Sequence, residues 1–328
     1  MKIVQPGVCY IAGLGRRSYK IVSRGGLDWL ECDALARIPW LVHAFSTRRG
    51  GVSKGSARGL NLGMIDSDPP ANVAKNRRQF FARLGAEDFV LASLRQTHST
   101  HIYRAVRRIP GEPEYHLSGY PAPARPGNRV PEGDALLTDE PGILLSVRVA
   151  DCIPILLVDP RRHAVAAVHA GWRGTLARIA EKTVGVMRQI FGSNPPDLRA
   201  AIGPGIRACC YEVGEEVVAA FCGRFVNGEK YFHAAPPQDP AQAVAAKYPL
   251  LFLSKRPPGH LDDRPPAAHL DLVAATKDQL QSAGLRASNI HVTEICTACR
   301  TDLFFSHRKE GAHTGRMMAV IGIKPRPD

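Results

Sequence analysis

The sequence predicts an α+β fold, a single layered α-β-β-α domain with mixed, largely antiparallel sheets. Three observations point there. Short β-rich apolar runs outnumber helical patterns, and neighbouring runs are separated by turns tight enough to pair them locally. The amphipathic segments fall between such pairs without the regular alternation of a doubly wound sheet. With 45% apolar residues in 328, there is material for a core between such layers.

Residues 1–37 read as an N-terminal extension: short β-like pieces (Lys2 to Val4, Tyr19 to Val22) and Gly-rich turns leading into Trp29 and Leu30, with no evident chemistry. The main domain is expected over 38–328, with Pro-rich insertions near 107–131 and 234–266. A strand at Val42 to Ser46 runs into a Gly-rich loop carrying Arg48, Ser53 and Asn61. Glycines let backbone N–H groups approach an anion, and arginine is a bidentate partner for phosphate. Val73 to Leu84 has helical periodicity, with Phe80, Phe81 and Leu84 inward and Arg77, Arg78 and Arg83 outward. A strand at Phe89 to Leu94 delivers Gln96, Thr97 and His98, and Ile102 to Val106 is the next strand. Arg107 to Pro131 reads as a long exposed loop. Ala135 to Thr138 and Ile143 to Val149 are strands that follow Asp134.

Ile153 to Val158 and Ala164 to Val168 flank the turn Arg161, Arg162, His163 and read as a hairpin. Antiparallel pairing would bring Cys152, before the first strand, and His169, after the second, to the same end of the sheet. A helix follows through Leu176, Ile179, Ala180, Val184 and Met187, with Thr175 as its N-cap. Beyond it come a strand from Ala200, the Gly203-Pro204-Gly205 turn, Cys209 and Cys210, and a helix from Glu215. After the second insertion, His269 to Ala283 is a helix, Ile290 to Ile295 a strand, and Met317 to Ile323 the last strand.

Singly, a Cys in an apolar strand is an ordinary small hydrophobe, and a His after a strand is an ordinary structural residue. Together, with Asp151 before the Cys and Arg173 after the His, they suggest a site, because a carboxylate buried alone is costly. His98 beside the Gln96 amide is the candidate third ligand, with His101 as its neighbour. Asp134 is either a turn residue or a group near this site. Cys209 and Cys210, on a regular strand, would face opposite ways and pack rather than bind. Cys296 and Cys299 have C-x-x-C spacing but no evident second pair, and are read as structural.

The formal charge of +13 is scattered in Arg pairs, with no basic aromatic-laced helix, so nucleic acid is not expected as a partner. No run reaches membrane-spanning length and none resembles a signal peptide, so a cytoplasmic location without membrane contact is expected. Eight Cys in a chain this long do not form a dense disulfide framework, and reduced thiols are the default.

QTH at Gln96–His98, ADC at Ala150–Cys152 and HAGWRG at His169–Gly174 together resemble the YfiH-type purine nucleoside phosphorylase family, long filed as polyphenol oxidase or laccase-domain proteins. FSTRRGGVS, LNLG, DALLT, AIGPGI, CCYEVG, HLDL, FFSHR and TGRM match in the same order over residues of about 40 to 323. The resemblance implies one zinc held by His98, Cys152 and His169. It also implies purine nucleosides and inorganic phosphate as small-molecule partners, contacted by Arg48, Asn61, Gln96, Asp134 and Arg173. Expected activities are phosphorolysis of adenosine, inosine, guanosine and methylthioadenosine, with adenosine deamination besides. Three protein ligands leave a coordination position open, which suits deamination, with Asp151 or Asp134 moving protons. Arg48 and Arg173 are the expected phosphate contacts. Two rivals remain, a copper-dependent polyphenol oxidase and an amidase on peptidoglycan precursors with Cys152 as nucleophile and His169 as base. Copper would substitute readily on the same ligands. The oligomeric state is not legible.

Overall fold

The computed structural model describes residues 18–109, 112–118, 130–234 and 268–325. In chain order its main strands are β1 (Tyr19–Arg24), β2 (Leu27–Cys32), β3 (Leu41–Ser46), β4 (Val90–Ala92), β5 (Ile102–Ile109), β6 (Glu112–Leu117), β7 (Ala135–Thr138) and β8 (Ile143–Val149). There follow β9 (Ile153–Asp159), β10 (Ala164–Ala170), β11 (Arg199–Ile202), β12 (Glu212–Val213), β13 (Phe232–Ala234), β14 (Ala268–Leu270), β15 (Ile290–Val292) and β16 (Met317–Ile323). They build a six-stranded sheet, β1-β2-β3-β16-β8-β4, a seven-stranded sheet, β15-β11-β9-β10-β7-β5-β6, and a small sheet, β12-β14-β13. Most pairings are antiparallel, with parallel exceptions at β4/β8, β5/β7 and β11/β15.

Residue alternation explains the layers. Leu156 and Val158 of β9 and Val165 and Ala167 of β10 pack with Phe45, Leu145, Val147, Ala319 and Ile321 of the other sheet. Their neighbours Ile155, Leu157, Ala166 and Val168 face the opposite way, onto the helices Ile179–Phe191, Glu215–Arg224 and Leu272–Ser282. On the far side of the six-stranded sheet, Val42, Ala44, Leu144, Met318 and Val320 meet Phe80 of the helix Pro70–Leu84. The order of layers is therefore α-β-β-α, and strands buried on both faces read as unbroken apolar runs.

Several local expectations change. The segment expected as a long loop from Arg107 begins instead with the end of β5 and with β6, which pair antiparallel and continue the sheet edge. Arg77 is half-buried rather than outward, because its Nε and Nη2 donate to Leu62 O at 2.9 and 2.7 Å. Thr175 is not an N-cap. It lies buried inside a five-residue helix, Trp172–Leu176, its N–H bonded to Gly171 O, and the next helix starts after Arg178, whose φ is +62°. The C-terminal helix is Leu272–Ser282, and its N-cap Asp271 accepts the Ala274 N–H at 2.9 Å. His269 falls in β14. Residues 19–32 form the hairpin β1/β2, which joins the six-stranded sheet through Trp29 and Leu30. The Pro-rich stretch expected near 234–266 lies, from residue 235 on, outside the described residues.

His43 on β3 is 5% exposed, and its Nε2 accepts the Cys32 N–H at 2.9 Å. Burial lowers its pKa from 6.5 to about 4, so the folded protein keeps it neutral while the unfolded chain takes up a proton below about 6.5. Its contribution is therefore complete above that pH and is lost as pH falls toward 4, by up to about 3 kcal/mol. Urea titrations from pH 7 to 4 should show a shallower acid loss in His43→Gln than in wild type, and equal slopes would contradict this.

Candidate metal centre

The hairpin β9/β10 folds because Asp159 Oδ1 caps its turn, accepting the N–H groups of Arg161 and Arg162 at 2.9 and 3.0 Å. Its register pairs His169 with Pro154 and Ala170 with Ile153. Cys152, one residue before β9, therefore lies beside His169 at one sheet end. The third side chain comes from the connection between β4 and β5. There the chain turns sharply, with His98 at φ +58°, around the carboxylate of Asp134. That carboxylate accepts the N–H groups of Thr97 (3.3 Å), His98 (3.1 Å) and Ser99 (2.6 Å) and the Ser99 hydroxyl (2.8 Å). Its Oδ1 also accepts from His169 Nδ1 at 2.8 Å. One buried carboxylate thus fixes the backbone carrying one imidazole and the ring of the other.

The ligand atoms of His98, Cys152 and His169 all lie within 4.8 Å of one another. Cys152 Sγ stands 3.6 Å from His98 Nε2, and the two rings meet at 64° with centroids 4.9 Å apart. Gly171 makes room for them: a Cβ there would stand 2.5 Å from His98 Cδ2 and 3.1 Å from Cys152 Sγ. Burial alone would raise the Cys152 thiol, but the charge and hydrogen bond of His169, and those of His98, bring it down to about 6. Burial would lower His169, yet the Cys152 charge and the Asp134 hydrogen bond push it up to about 9. Asp134 is held at about 2 because the His169 and Ser99 hydrogen bonds overcome its burial. A thiolate and two imidazoles, one backed by a carboxylate, are a donor set that fits zinc, and Asp134 is the outer partner that fixes the tautomer of His169.

The other expected site residues are placed differently. Asp151, at φ +89°, accepts from Thr297 Oγ1 (2.6 Å), Ser306 Oγ (3.1 Å) and Arg308 N (2.6 Å), so its carboxylate ties down the chain near residues 297–308. Arg48 pairs with Glu310 at 2.6 Å, donates to Thr301 O and stacks on Phe305. Asn61 has no exposure; its amide bonds to Gly63 O, Asp68 Oδ2, Gly63 N and Arg316 N. Gln96 is bonded at both ends to the backbone of Arg148. Asp134 orients ligands, with both of its oxygens occupied by protein donors. Arg173 is exposed and lies over the Trp172 ring, 4.4 Å from its centroid.

Other groups gather near Cys152. The charges of Cys152 and Asp151 act on Arg316, whose guanidinium burial pushes down. Burial and the Cys152 charge raise the Tyr211 phenol to about 12, while Arg308 and Arg173 oppose them. Arg308 sits over the Tyr211 ring, 5.2 Å from its centroid. Gly171, Tyr211, Arg308 and Arg316 carry no signal as isolated residues, but each lies inside a motif that the sequence offers: HAGWRG, CCYEVG, FFSHR and TGRM.

The expected strand geometry of the adjacent cysteines is not what forms. Cys209 and Cys210 sit in a turn, not on a strand, and they meet Cys296 and Cys299, with all four sulfurs within 4.8 Å of one another. The second pair that C-x-x-C spacing asks for is an adjacent pair.

A family model described as "Multi-copper polyphenol oxidoreductase laccase" matches residues 42–324. The chain is 37% identical over 303 residues to a Deinococcus radiodurans protein named purine nucleoside phosphorylase, covering 92% of this chain and 95% of that one. It is 35% identical over 286 residues to a protein of an unknown prokaryote named adenosine deaminase RL5, covering 85% and 93%. Among solved structures, YlmD from Geobacillus stearothermophilus superposes with a TM-score of 0.73 at 31% identity, covering 94% of this chain and all of that one.

If Asp134 orients His169, Asp134→Asn should weaken zinc binding by roughly 10- to 100-fold, measured by competition with a chromogenic chelator. Wild-type affinity in that variant would show that the carboxylate has no such role.

Proposed function

The chain belongs to the family described as multi-copper polyphenol oxidoreductase laccases, and on that premise we propose that it is a zinc-dependent purine nucleoside enzyme. Its reaction is phosphorolysis of adenosine, inosine, guanosine or methylthioadenosine to free base and ribose 1-phosphate, with deamination of adenosine besides. The observation that carries this reading is the convergence of His98, Cys152 and His169, from three segments, onto one point backed by Asp134. The printed names of relatives supply the substrate class.

A zinc ion held by His98, Cys152 and His169 would supply Lewis acidity at this point. The chain supplies the rest. Asp134 keeps the proton on His169 Nδ1, so that the ring's Nε2 faces Cys152 and His98. Arg316, on which the Cys152 charge acts, and Arg173 and Arg308, which act on Tyr211, supply positive charge that favours a phosphate near the ribose, and Arg48, paired with Glu310, is assigned to the scaffold. In phosphorolysis a phosphate oxygen bonds to C1′ as the C1′–N9 bond breaks, and the departing purine takes up a proton. In deamination water adds at C6 and ammonia leaves. Asp151 and Asp134 both have their oxygens occupied by protein donors, whereas the Tyr211 phenol, kept protonated, is an O–H donor beside the site. Purine nucleosides and phosphate are the partners in this reading, and the cytoplasm is its location. No helix among the described residues is long and apolar enough to cross a membrane.

A multi-copper oxidase centre needs about ten His, with H-x-H pairs. This chain has 12 His and no such pair, and among the described residues the imidazole-bearing ligand group holds two. The lowered Cys152 thiol beside His169 favours, as a second reading, a cysteine hydrolase. Chelation separates the two, since a nucleophilic thiol survives metal removal and is blocked by iodoacetamide.

Incubation with adenosine and phosphate, followed by separation of adenine, inosine, hypoxanthine and ribose 1-phosphate, tests the proposal. We expect phosphate-dependent base release that falls by more than roughly 100-fold in His98→Ala and in Cys152→Ala. Unchanged turnover in both variants would reject the assigned site.

A further inference from the structure

The four sulfurs of Cys209, Cys210, Cys296 and Cys299 come from two segments distant in sequence. The first follows the Gly203-Pro204-Gly205 turn, where Cys210 N–H bonds to Arg207 O at 2.9 Å and puts the adjacent cysteines on a tight turn. The second follows β15, where Arg300 N–H closes onto Cys296 O at 3.1 Å. A parallel bridge between Gly205 and Cys296 and the bond from Thr297 N–H to Gly205 O (3.2 Å) join the segments. Cys209 and Cys296 are buried, Cys210 and Cys299 half-buried, against Ile206, Ala298 and Tyr211. The sulfurs of Cys210 and Cys299 are 3.3 Å apart and those of Cys209 and Cys299 are 3.6 Å apart.

A tetrahedral ion with Zn–S bonds of about 2.3 Å spaces its sulfurs about 3.8 Å apart, which matches this cluster. An iron–sulfur cluster interposes iron and sulfide between its thiolates and needs a wider ring. Thiols are weak hydrogen-bond donors, so packing alone gives four sulfurs little reason to converge. The surroundings also suit thiolates: the backbone N–H groups of Arg207 and Cys299 point at Cys296 Sγ, and the buried Arg207 guanidinium lies close by.

We propose that Cys209, Cys210, Cys296 and Cys299 form a second, closed site for one zinc ion, distinct from the His98–Cys152–His169 centre. Its four protein ligands fill the coordination sphere, so its work is mechanical. Both segments that it joins hold Asp151: Ile206 N–H donates to Asp151 O at 2.7 Å, and Thr297 Oγ1 donates to Asp151 Oδ1 at 2.6 Å. Asp151 immediately precedes Cys152. The tetrathiolate knot therefore fixes the backbone from which the ligand thiol projects, and it stands whether or not the proposed reaction is correct.

The test is a metal count on the full chain, purified under reducing conditions without added metal. Elemental analysis should find two zinc ions per wild-type chain, one in His98→Ala/Cys152→Ala, and one in Cys296→Ser. The Cys296→Ser protein should also melt on the order of 10 °C lower, because a structural zinc site contributes to folding directly. If the triad holds no metal but the cluster does, only Cys296→Ser loses an ion, so the two assignments fail separately. Cobalt replacement in His98→Ala/Cys152→Ala should give the intense visible bands of tetrahedral thiolate cobalt, a readout that leaves the cluster intact if Cys296→Ser does not fold. Zinc content unchanged by Cys296→Ser, a Cys210–Cys299 disulfide in rapidly alkylated protein, or iron with inorganic sulfide would each overturn the proposal.

Discussion

A carboxylate without solvent exposure is costly unless its oxygens are filled, and Asp134 fills its own with three backbone N–H groups, a hydroxyl and an imidazole. Everything around the triad follows from that saturation. The turn carrying His98 closes around the anion, and this stabilises a left-handed backbone at a non-glycine residue. His169 is aimed by the same group, and Cys152 is delivered by the hairpin register. The same arrangement favours the Cys152 thiolate, the form that binds a cation, and holds a second proton on His169 that a divalent ion would have to displace.

The second carboxylate, Asp151, works at the level of the backbone. It sits between the two buried sheets' ends and the C-terminal segment, bonded to Thr297, Ser306 and Arg308. These contacts tie FFSHR, remote in sequence, to the residue that precedes Cys152. Arg308 lies over the Tyr211 ring and Arg316 feels the charges of Cys152 and Asp151, so much of the positive charge near the site comes from the end of the chain. Arg48 and Asn61, by contrast, brace that segment: one pairs with Glu310 and the other accepts from Arg316 N–H.

The layered fold was legible because its central strands are buried on both faces, which writes itself as unbroken apolar runs such as Ile153–Asp159. The Cys152 and His169 pairing followed from a tight turn alone. What could not be read were contacts made by long-range closure. Nothing near Asp134 in sequence announces that it faces His169, and nothing near Arg316 announces Cys152. The adjacent cysteines converge instead of facing opposite ways because the chain turns after Gly203-Pro204-Gly205 rather than running on as a strand. Asn61 and Gln96 bond to the protein's own backbone, and a polar group in a motif looks alike in sequence whether it serves a ligand or the backbone.

The central claim is that His98, Cys152 and His169 surround one divalent ion. A crystallographic anomalous difference map recorded at the zinc edge, on protein purified without added metal, tests it most directly. The account predicts a peak about 2.0–2.3 Å from an imidazole nitrogen of each His and from Cys152 Sγ. A map without density at that point, or a Cys152 sulfur turned away from both rings, would contradict it.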